Sequence, residues 1–455
     1  MRLKSALRRG VAAAVIAGIV VSSGIPAYAD RWDIAKGDIT VKGASDGSGN
    51  YNEVKQGDNE FKKDEGETVI TGESDKNTVT IDTSEGNVDV TFDDLKIDVS
   101  GKTEVDGSGK TEVDGSGKTE VDSSGDSPVD AGKAAVTVQG DHDAAIELDG
   151  ANELKSGRSH AGLEHNKTDT SGKLTIQDDN DNAGSLTATS GYFGAGIGGG
   201  SAKAGQVTIT GGTITAISGD GAGIGGGQGN MGSNAGNADI EISGGTIEAT
   251  GGYASAGIGG GNWGDANIKI TGDAVIKSAV GGGGGAGIGG GQWGNGTVTI
   301  SGDSKIESAL GGGLSAGIDG GAVGNGTVSI SGNATIENAQ GGEDGAGIGG
   351  GYGYGQSGTG DITIEGNTTV NATGGMGSAG IGNGTDAGGN NGQITIRGTK
   401  DSSPTVNATG GIAEEDGQGY VGPGGAGIGG GSTTDSEYTP VTPQITLEGK
   451  VTITA

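Results

Sequence analysis

A six-residue motif that returns every thirty residues constrains this chain more than any other feature of its sequence. The segment Ala-Gly-Ile-Gly-Gly-Gly occurs six times, and two near copies carry Asp319 or Asn383 in place of a glycine. Four successive copies begin at positions 256, 286, 316 and 346. A fixed period of about 20–50 residues is typical of solenoids and other stacked arrays. The chain is therefore expected to be a repeat protein.

Each period contains three short apolar pieces. In residues 286–315 the first contains Ile288, the second contains Val298 and Ile300, and the third contains Ile306. Their alternation with polar or small residues is typical of β-strands that bury one face. We predict an all-β fold, a single-stranded right-handed parallel β-helix with three short strands per coil of about 30 residues. A propeller, whose blades need four strands, is the second choice.

Stacking of the periods predicts columns of inward isoleucines. One coil buries too little apolar surface to offset the entropy of ordering it, so every coil depends on its neighbours. Asn295 and Asn325 share a turn position, where stacked amides can form a ladder. The expected columns are Ile258, Ile288, Ile318 and Ile348; Ile270, Ile300 and Ile330; and Ile276, Ile306 and Ile336.

The glycines of the motif have two interpretations. An alternation of inward Ala or Ile with outward Gly predicts bare backbone on the outer surface. Glycine there permits sharp corners and positive φ. Alternatively, it provides a flat strip where a ligand lies close to the main chain.

The first 29 residues are predicted to be a secretory signal peptide. A basic start precedes an apolar run over 11–21, and Ala27-Tyr28-Ala29 forms a small-x-small cleavage site. A membrane anchor is the alternative, but the apolar run is short for a bilayer. We therefore expect a secreted, extracellular protein. The chain has no cysteine, so no disulfide can stabilise it.

The mature chain divides into two parts by composition. Residues 30–134 are acidic and are expected to form an irregular N-terminal part of the solenoid, with its cap. Residues 101–124 carry an eight-residue tandem repeat that predicts a low-complexity loop. Residues 135–455 are expected to form the regular, glycine-rich β-helix. Extra residues near 228–237, 352–360, 384–392 and 412–425 mark either a binding face or loops that vary without consequence.

The charge of the chain limits its partners. The formal net charge of −31 includes four basic leader residues, so the rest carries −35. Such a chain repels nucleic acid and anionic lipid, and an acidic polysaccharide binds only through a bridging cation. No apolar run after the leader is long enough for the mature chain to insert into a membrane.

Catalytic equipment is sparse. There are three histidines, His142, His160 and His165, and no cysteine nucleophile or Gly-x-Ser-x-Gly elbow. Many β-helices cleave polysaccharides with clustered aspartates or with calcium and an arginine base. Here Arg397 follows a strand without an acidic cluster beside it in sequence. We expect a protein that is not an enzyme.

Calcium is the one cofactor that the sequence suggests. Asp178, Asp179 and Asp181 form an oxygen-rich run between two strands, and Asp141 and Asp143 flank a histidine in another turn. Hard cations prefer such oxygen ligands. The alternative is an acidic solubilising loop, since the spacing matches neither an EF-hand nor a calcium-binding nonapeptide repeat.

Aromatic side chains are rare and recur at fixed phases. Trp263 and Trp293 follow the triple glycine by two residues, and Tyr352 and Tyr354 bracket that phase later in the chain. Two further candidates, Tyr192 and Tyr253, precede their motifs by three residues. Rows of exposed rings can stack on the apolar faces of sugars. Equally, these rings can cover the glycine-rich corner of the next coil.

Several segments occur in an order that resembles a known family: Asn152–Gly157, His160–Leu163, Leu174–Ile176, Gly184–Gly191 and Gly194–Gly200. The family comprises bacterial proteins labelled "carbohydrate-binding domain-containing", and the resemblance covers roughly residues 135–435. It implies a secreted right-handed parallel β-helix that associates with the cell surface without catalysis. A member of this type binds pectin-like polygalacturonate and cellulose and carries calcium.

Together these features predict non-catalytic extracellular binding of a plant or cell-wall polysaccharide, assisted by calcium. The first alternative is a surface adhesin or structural stalk without glycan specificity. A polysaccharide lyase or hydrolase ranks third.

Overall fold

The computed structural model describes residues 30–46, 49–64, 66–101, 132–180, 183–229, 236–388, 391–412, 424–433 and 441–455, with the backbone of four short strands between them. The predicted leader, residues 1–29, lies outside the described residues. In the described ranges no helix is long and apolar enough to cross a membrane.

The N-terminal part ends the solenoid with an antiparallel meander. β2 pairs with β3 and β3 with β4 in antiparallel fashion, while β2 pairs in parallel with β6. β8 and β9 form a separate antiparallel pair inside the predicted 101–124 loop. The elements are β1 (Asp30–Asp33), a 3₁₀ helix (Ile34–Lys36), β2 (Ile39–Asp46), β3 (Gly49–Gln56), β4 (Lys62–Asp64), β5 (Thr68–Ser74), β6 (Val79–Asp82), β7 (Val88–Asp98), β8 (Thr103–Val105) and β9 (Thr111–Val113).

The first parallel coils follow and lead into the repeats. Their strands are β10 (Val136–Gln139), β11 (Ala144–Lys155), β12 (Leu163–His165), β13 (Leu174–Gln177), β14 (Gly184–Thr189), β15 (Ile197–Gly198), β16 (Gly205–Ile209), β17 (Thr213–Ile217), β18 (Ile224–Gly225), β19 (Ala238–Ile242), β20 (Thr246–Thr250), β21 (Ile258–Gly259), β22 (Ala266–Ile270) and β23 (Val275–Val280).

The same pattern continues to the end of the chain. The remaining strands are β24 (Ile288–Gly289), β25 (Gly296–Ile300), β26 (Lys305–Ile306), β27 (Ala309–Leu310), β28 (Ile318–Asp319), β29 (Gly326–Ile330), β30 (Thr335–Gln340), β31 (Ile348–Gly349), β32 (Gly360–Glu365), β33 (Thr369–Thr373), β34 (Ile381–Gly382), β35 (Gln393–Arg397), β36 (Thr405–Thr409), β37 (Glu415–Asp416), β38 (Tyr420–Val421), β39 (Ile428–Gly429), β40 (Gln444–Glu448) and β41 (Thr452–Thr454).

Each regular coil contributes three strands, as predicted. The hexapeptide strand joins a 14-stranded sheet, and the two strands after it join a 23-stranded sheet. In residues 286–315 these are β24, β25 and a third strand split into β26 and β27. Corresponding strands of successive coils pair in parallel, for example β22 with β25 and β25 with β29. The fold is therefore a parallel β-helix.

The predicted isoleucine columns are confirmed. Ile288 lies opposite Ile258 on one side and Ile318 on the other, and Ile300 is flanked by Ile270 and Ile330 in the same way. Every member of the three predicted columns is fully buried. These side chains form one continuous core along the axis.

The prediction of bare backbone outside the hexapeptide is wrong. Gly257 and Gly287 are buried, and a Cβ at Gly257 would lie 2.6 Å from the amide nitrogen of Val280. The fourth position adopts positive φ, 138° at Gly259 and 147° at Gly289. Glycine is thus required because backbone packs against backbone and because L-residues rarely adopt this φ. The corner interpretation of the motif is confirmed.

The predicted turn ladder exists, and its repeating bond runs from a backbone amide to a side-chain oxygen of the preceding coil. The Asn295 side-chain oxygen accepts from the Asn325 amide nitrogen at 3.0 Å. Asp265 does the same for Asn295 at 2.7 Å, and Asn237 for Asp265 at 2.9 Å. Each turn therefore satisfies a backbone donor of the next coil.

Asp319 replaces the positive-φ glycine in one coil. Its φ is 111°, the residue is fully buried, and neither carboxylate oxygen has a hydrogen-bond partner. A Cβ at Gly296 or Gly326 would collide with its carboxylate oxygens, so the side chain fills the space over these two glycines. Burial, reinforced by the charge of Asp361, holds the pKa of Asp319 well above its ordinary value.

Candidate functional site

Two loops flank each hexapeptide and lie side by side on one edge of the solenoid. The Gln292 amide donates to the Ala254 carbonyl at 2.8 Å, and the Ala322 amide donates to the Gly284 carbonyl at 3.0 Å, each bond joining the loop after one hexapeptide to the loop before another. We call this surface the aromatic edge, because it carries all six predicted aromatic residues: Tyr192, Tyr253, Trp263, Trp293, Tyr352 and Tyr354.

Residues after the hexapeptide form a ladder in the left-handed conformation. The φ values are 61° at Trp263, 65° at Trp293, 62° at Val323 and 49° at Tyr354. The Trp263 amide donates to the Gln292 carbonyl at 2.7 Å, and the Trp293 amide donates to the Ala322 carbonyl at 2.7 Å. The next coil thus fixes each backbone, which holds the rings in one column. The shared phase predicted from the sequence is confirmed.

The rings of this ladder stack on one another. The Trp263 and Trp293 centroids lie 5.0 Å apart with planes 5° from parallel, and Trp293 and Tyr354 are separated by 6.4 Å at 8°. Tyr352 meets Tyr354 edge-on at 4.5 Å. Because rings on both sides cover its faces, Trp293 presents an edge outward although it is 43% exposed. The flat faces of Trp293 are therefore covered within the column.

Tyr192 and Tyr253 occupy the loop before the hexapeptide, apart from that stack. Tyr253 is 77% exposed. Tyr192 meets Phe193 edge-to-face at 4.9 Å, and the Arg158 guanidinium lies 5.2 Å from the Tyr192 ring and 4.8 Å from the Phe193 ring. Sequence reasoning missed Arg158 as part of this cluster, because the contact joins two different coils.

Acidic groups border the aromatic edge further along. The Thr385 amide donates to the Asp344 carbonyl at 3.1 Å, and Asp386 is fully buried after the next hexapeptide. Burial, together with the negative charges of Glu343 and Asp386, raises the pKa of Asp344 to about 6. This part of the edge is therefore unfavourable for an anionic ligand at neutral pH.

The calcium candidates lie in two separate places, and the carboxylates of Asp143 and Asp178 serve there as hydrogen-bond acceptors. Asp143 accepts from the Lys173 amide at 2.9 Å before β11, and Asp141 contacts the ring of His142 at 3.0 Å. Asp178 accepts from the Gly184 amide at 3.2 Å after β13. β11 and β13 pair from Ala144↔Leu174 to Glu147↔Gln177, so a strand length separates the two turns.

Glu147 joins the second of these turns. Its carboxylate accepts from the Asp179 amide at 3.0 Å, and burial raises the pKa of Glu147. Asp181 lies outside the described residues. Across the described ranges, no group of three His, Cys, Asp or Glu residues could hold a metal ion. Calcium binding remains a prediction.

The histidines have structural partners. His160 Nδ1 lies 2.8 Å from the carboxylate of Glu164, which also accepts from the Ala161 amide at 3.2 Å. His165 is buried against the Gln206 carbonyl at 2.9 Å, and desolvation lowers the pKa of His165. Sequence reasoning did not single out Glu164, although its spacing of four residues from His160 was visible.

Comparison with known proteins agrees with the architecture. The family described as "Beta helix repeat" matches residues 182–201, 207–228, 240–262, 328–352 and 362–385. These segments fall on the hexapeptide coils, and they support a β-helix repeat protein without indicating a ligand. No curated protein and no solved structure matches the chain.

Proposed function

We propose that this β-helix is a secreted, non-catalytic polysaccharide-binding protein whose ligand lies on the aromatic edge. The observation that carries the proposal is the exposure of aromatic rings there, led by Tyr253 at 77%. Aromatics are only 3% of the chain. An exposed ring with a free face suits the apolar face of a pyranose, and its polar tip can hydrogen-bond sugar hydroxyls.

The negative charge of the chain limits which glycans the proposed site can bind. A chain of net charge −31 with Glu343, Asp344 and Asp386 beside the edge favours a neutral glycan. An acidic glycan would need a bridging cation, which is the role the proposal gives to calcium.

A surface stalk is the second candidate. The observation that favours it is the face-to-face stacking of Trp263 and Trp293, since rings that cover one another stabilise neighbouring coils. Under this alternative the exposed rings contribute no glycan affinity.

A pull-down on insoluble polysaccharides separates the two. We expect retention of the wild-type protein on at least one glycan and at least a tenfold weaker retention of Tyr253→Ala. Tyr51→Ala is the matched control, because Tyr51 packs under Lys63 in the N-terminal meander, at 4.1 Å. A parallel series with chelator tests calcium. If the wild-type protein is retained on no glycan, both without and with chelator, the proposal is contradicted and the stalk is favoured.

A further inference from the structure

Two glycines on the aromatic edge are not required by the fold. Gly283 and Gly313 are exposed, and neither adopts a left-handed φ. A Cβ at Gly283 would first meet the Tyr253 carbonyl oxygen at 3.3 Å, and one at Gly313 would meet the Gly283 carbonyl oxygen at 3.7 Å. The hexapeptide glycines, in contrast, have no room for a side chain.

Other coils carry side chains at the same position. The residue before it is a glycine in each coil, and these glycines stack from Gly252 through Gly282 and Gly312 to Gly342. The residues that follow them are Tyr253, Gly283, Gly313 and Glu343, and two later coils have Met376 and Ile412. The backbone at this position therefore accommodates long side chains. Steric restriction does not explain why the bare pair, Gly283 and Gly313, lacks them.

The bare pair forms the floor of a trough with defined ends. Tyr253 closes one end, with its ring Cε2 at 3.7 Å from a Cβ placed on Gly283. At the other end the Asp344 amide donates to the Gly313 carbonyl at 2.9 Å. The acidic residues Glu343 and Asp344 therefore border that end of the floor. Two coils at about 4.8 Å each give a floor about 10 Å long, on the order of two pyranose rings.

A buried hydroxyl beside this floor has no partner. Ser315 is fully buried and its Oγ makes no hydrogen bond. Two coils earlier, the corresponding Ser255 Oγ donates to the Asp220 carbonyl at 2.5 Å and accepts from the Asn262 amide at 3.0 Å. Ser315 is therefore buried close to the bare pair in the chain, two residues after Gly313, without the bonds that Ser255 makes.

We propose that Gly283 and Gly313 floor a subsite for an unbranched segment of a neutral glycan, with Tyr253 stacking on the ring at its end. The floor lacks side chains, so a flat polymer can lie against the main chain, while a branch directed at the floor cannot. This inference rests on the proposed function and specifies the polysaccharide as unbranched and neutral.

The test places a side chain in the trough at glycines that the fold does not require. Gly283→Gln and Gly313→Gln are compared with Ile412→Gln, a change in the same column at a residue that is 85% exposed. The probes are two pairs with a common backbone: cellulose against xyloglucan, and linear β-mannan against galactomannan. Thermal unfolding of each variant checks that the fold is intact.

We expect the wild type and Ile412→Gln to bind an unbranched probe at least tenfold more tightly than its branched partner. Gly283→Gln and Gly313→Gln should lose at least tenfold of that affinity at an unchanged unfolding temperature. Equal binding by all variants, or equal binding of branched and unbranched probes, would overturn the subsite while leaving the proposed function intact. Failure of the wild type on all polysaccharides would instead overturn the proposed function itself.

Discussion

Replacing Asp319 by glycine should stabilise the solenoid. The aspartate holds a φ of 111°, in a region that L-residues rarely adopt, and such strain costs about 1–3 kcal/mol. Its buried carboxylate lacks any partner, which costs a further 1–3 kcal/mol or so, and more when ionised. Glycine loses about 0.5–1 kcal/mol more backbone entropy on folding and leaves the space over Gly296 and Gly326 empty. The net gain in free energy of unfolding is about 2–4 kcal/mol at pH 7.

The gain should depend on pH in a defined direction. Burial raises the pKa of Asp319 in the folded chain well above 3.8, so between these values the folded state binds more protons than the unfolded state. The wild type therefore loses stability as pH rises above about 4, by up to about 1.4 kcal/mol per pH unit. Asp319→Gly lacks this loss, so the difference between the two proteins should widen from acid to neutral pH.

Thermal unfolding and amide hydrogen exchange provide the assay. Exchange of the core amides of Ile318 and Ile348 should slow about tenfold or more at pH 7. Asp273→Gly, a change at an exposed turn aspartate, is the control and should shift stability by less than about 1 kcal/mol. A variant that is less stable than the wild type, or a gain that does not change with pH, would refute this reasoning.

Three further results are expected. Adding Gly326→Ala to Asp319→Gly should lower stability by about 1 kcal/mol or more, as an unfolding-temperature series would show, because the new Cβ would still lie 2.9 Å from the Gly349 carbonyl oxygen. Gly259→Ala should destabilise by more than about 2 kcal/mol, measured in the same way, because its φ is 138° and its Cβ would collide with the next coil. Thr297→Cys with Thr327→Cys should form a disulfide on oxidation, detectable by mass spectrometry, because these residues are directly paired across adjacent coils.

Two of these results have a control within the chain. Gly313→Ala, at an exposed and open position, should change stability by less than about 0.5 kcal/mol and so isolates the effect at Gly259. Thr297→Cys with Ser329→Cys lies two residues out of register, at a Cα separation of about 8 Å, too far for a disulfide. Efficient cross-linking of this second pair would contradict the assigned register.

The fold was predictable because the residues that specify it recur at a fixed period. Ile288 and Ile300 recur every thirty residues, and identical spacing on strands with one buried face leaves stacking as the way to bury them all. The surface of the hexapeptide was mispredicted for a physical reason. Apolar residues at every second position show which face of a strand points inward. They do not show that neighbouring backbone packs against Gly257 on the outward side.

The candidate site was predictable only in part. A shared phase placed Trp263 and Trp293 in one column, yet the orientation of their rings depends on a left-handed φ that the sequence does not specify for tryptophan. The role of Gly283 and Gly313 was hidden among 107 glycines, because only coordinates distinguish a glycine that the backbone needs from one that it does not. Asp178 accepts from the Gly184 amide, a contact that composition does not reveal.

The position of the ligand can be read from a crystal structure of the full chain soaked with a linear oligosaccharide of six β-1,4-linked sugars. We expect pyranose rings on the aromatic edge, one against the face of Tyr253 and the next over Gly283 and Gly313. Sugar bound on the outer surface of the 23-stranded sheet, with the edge empty, would contradict it.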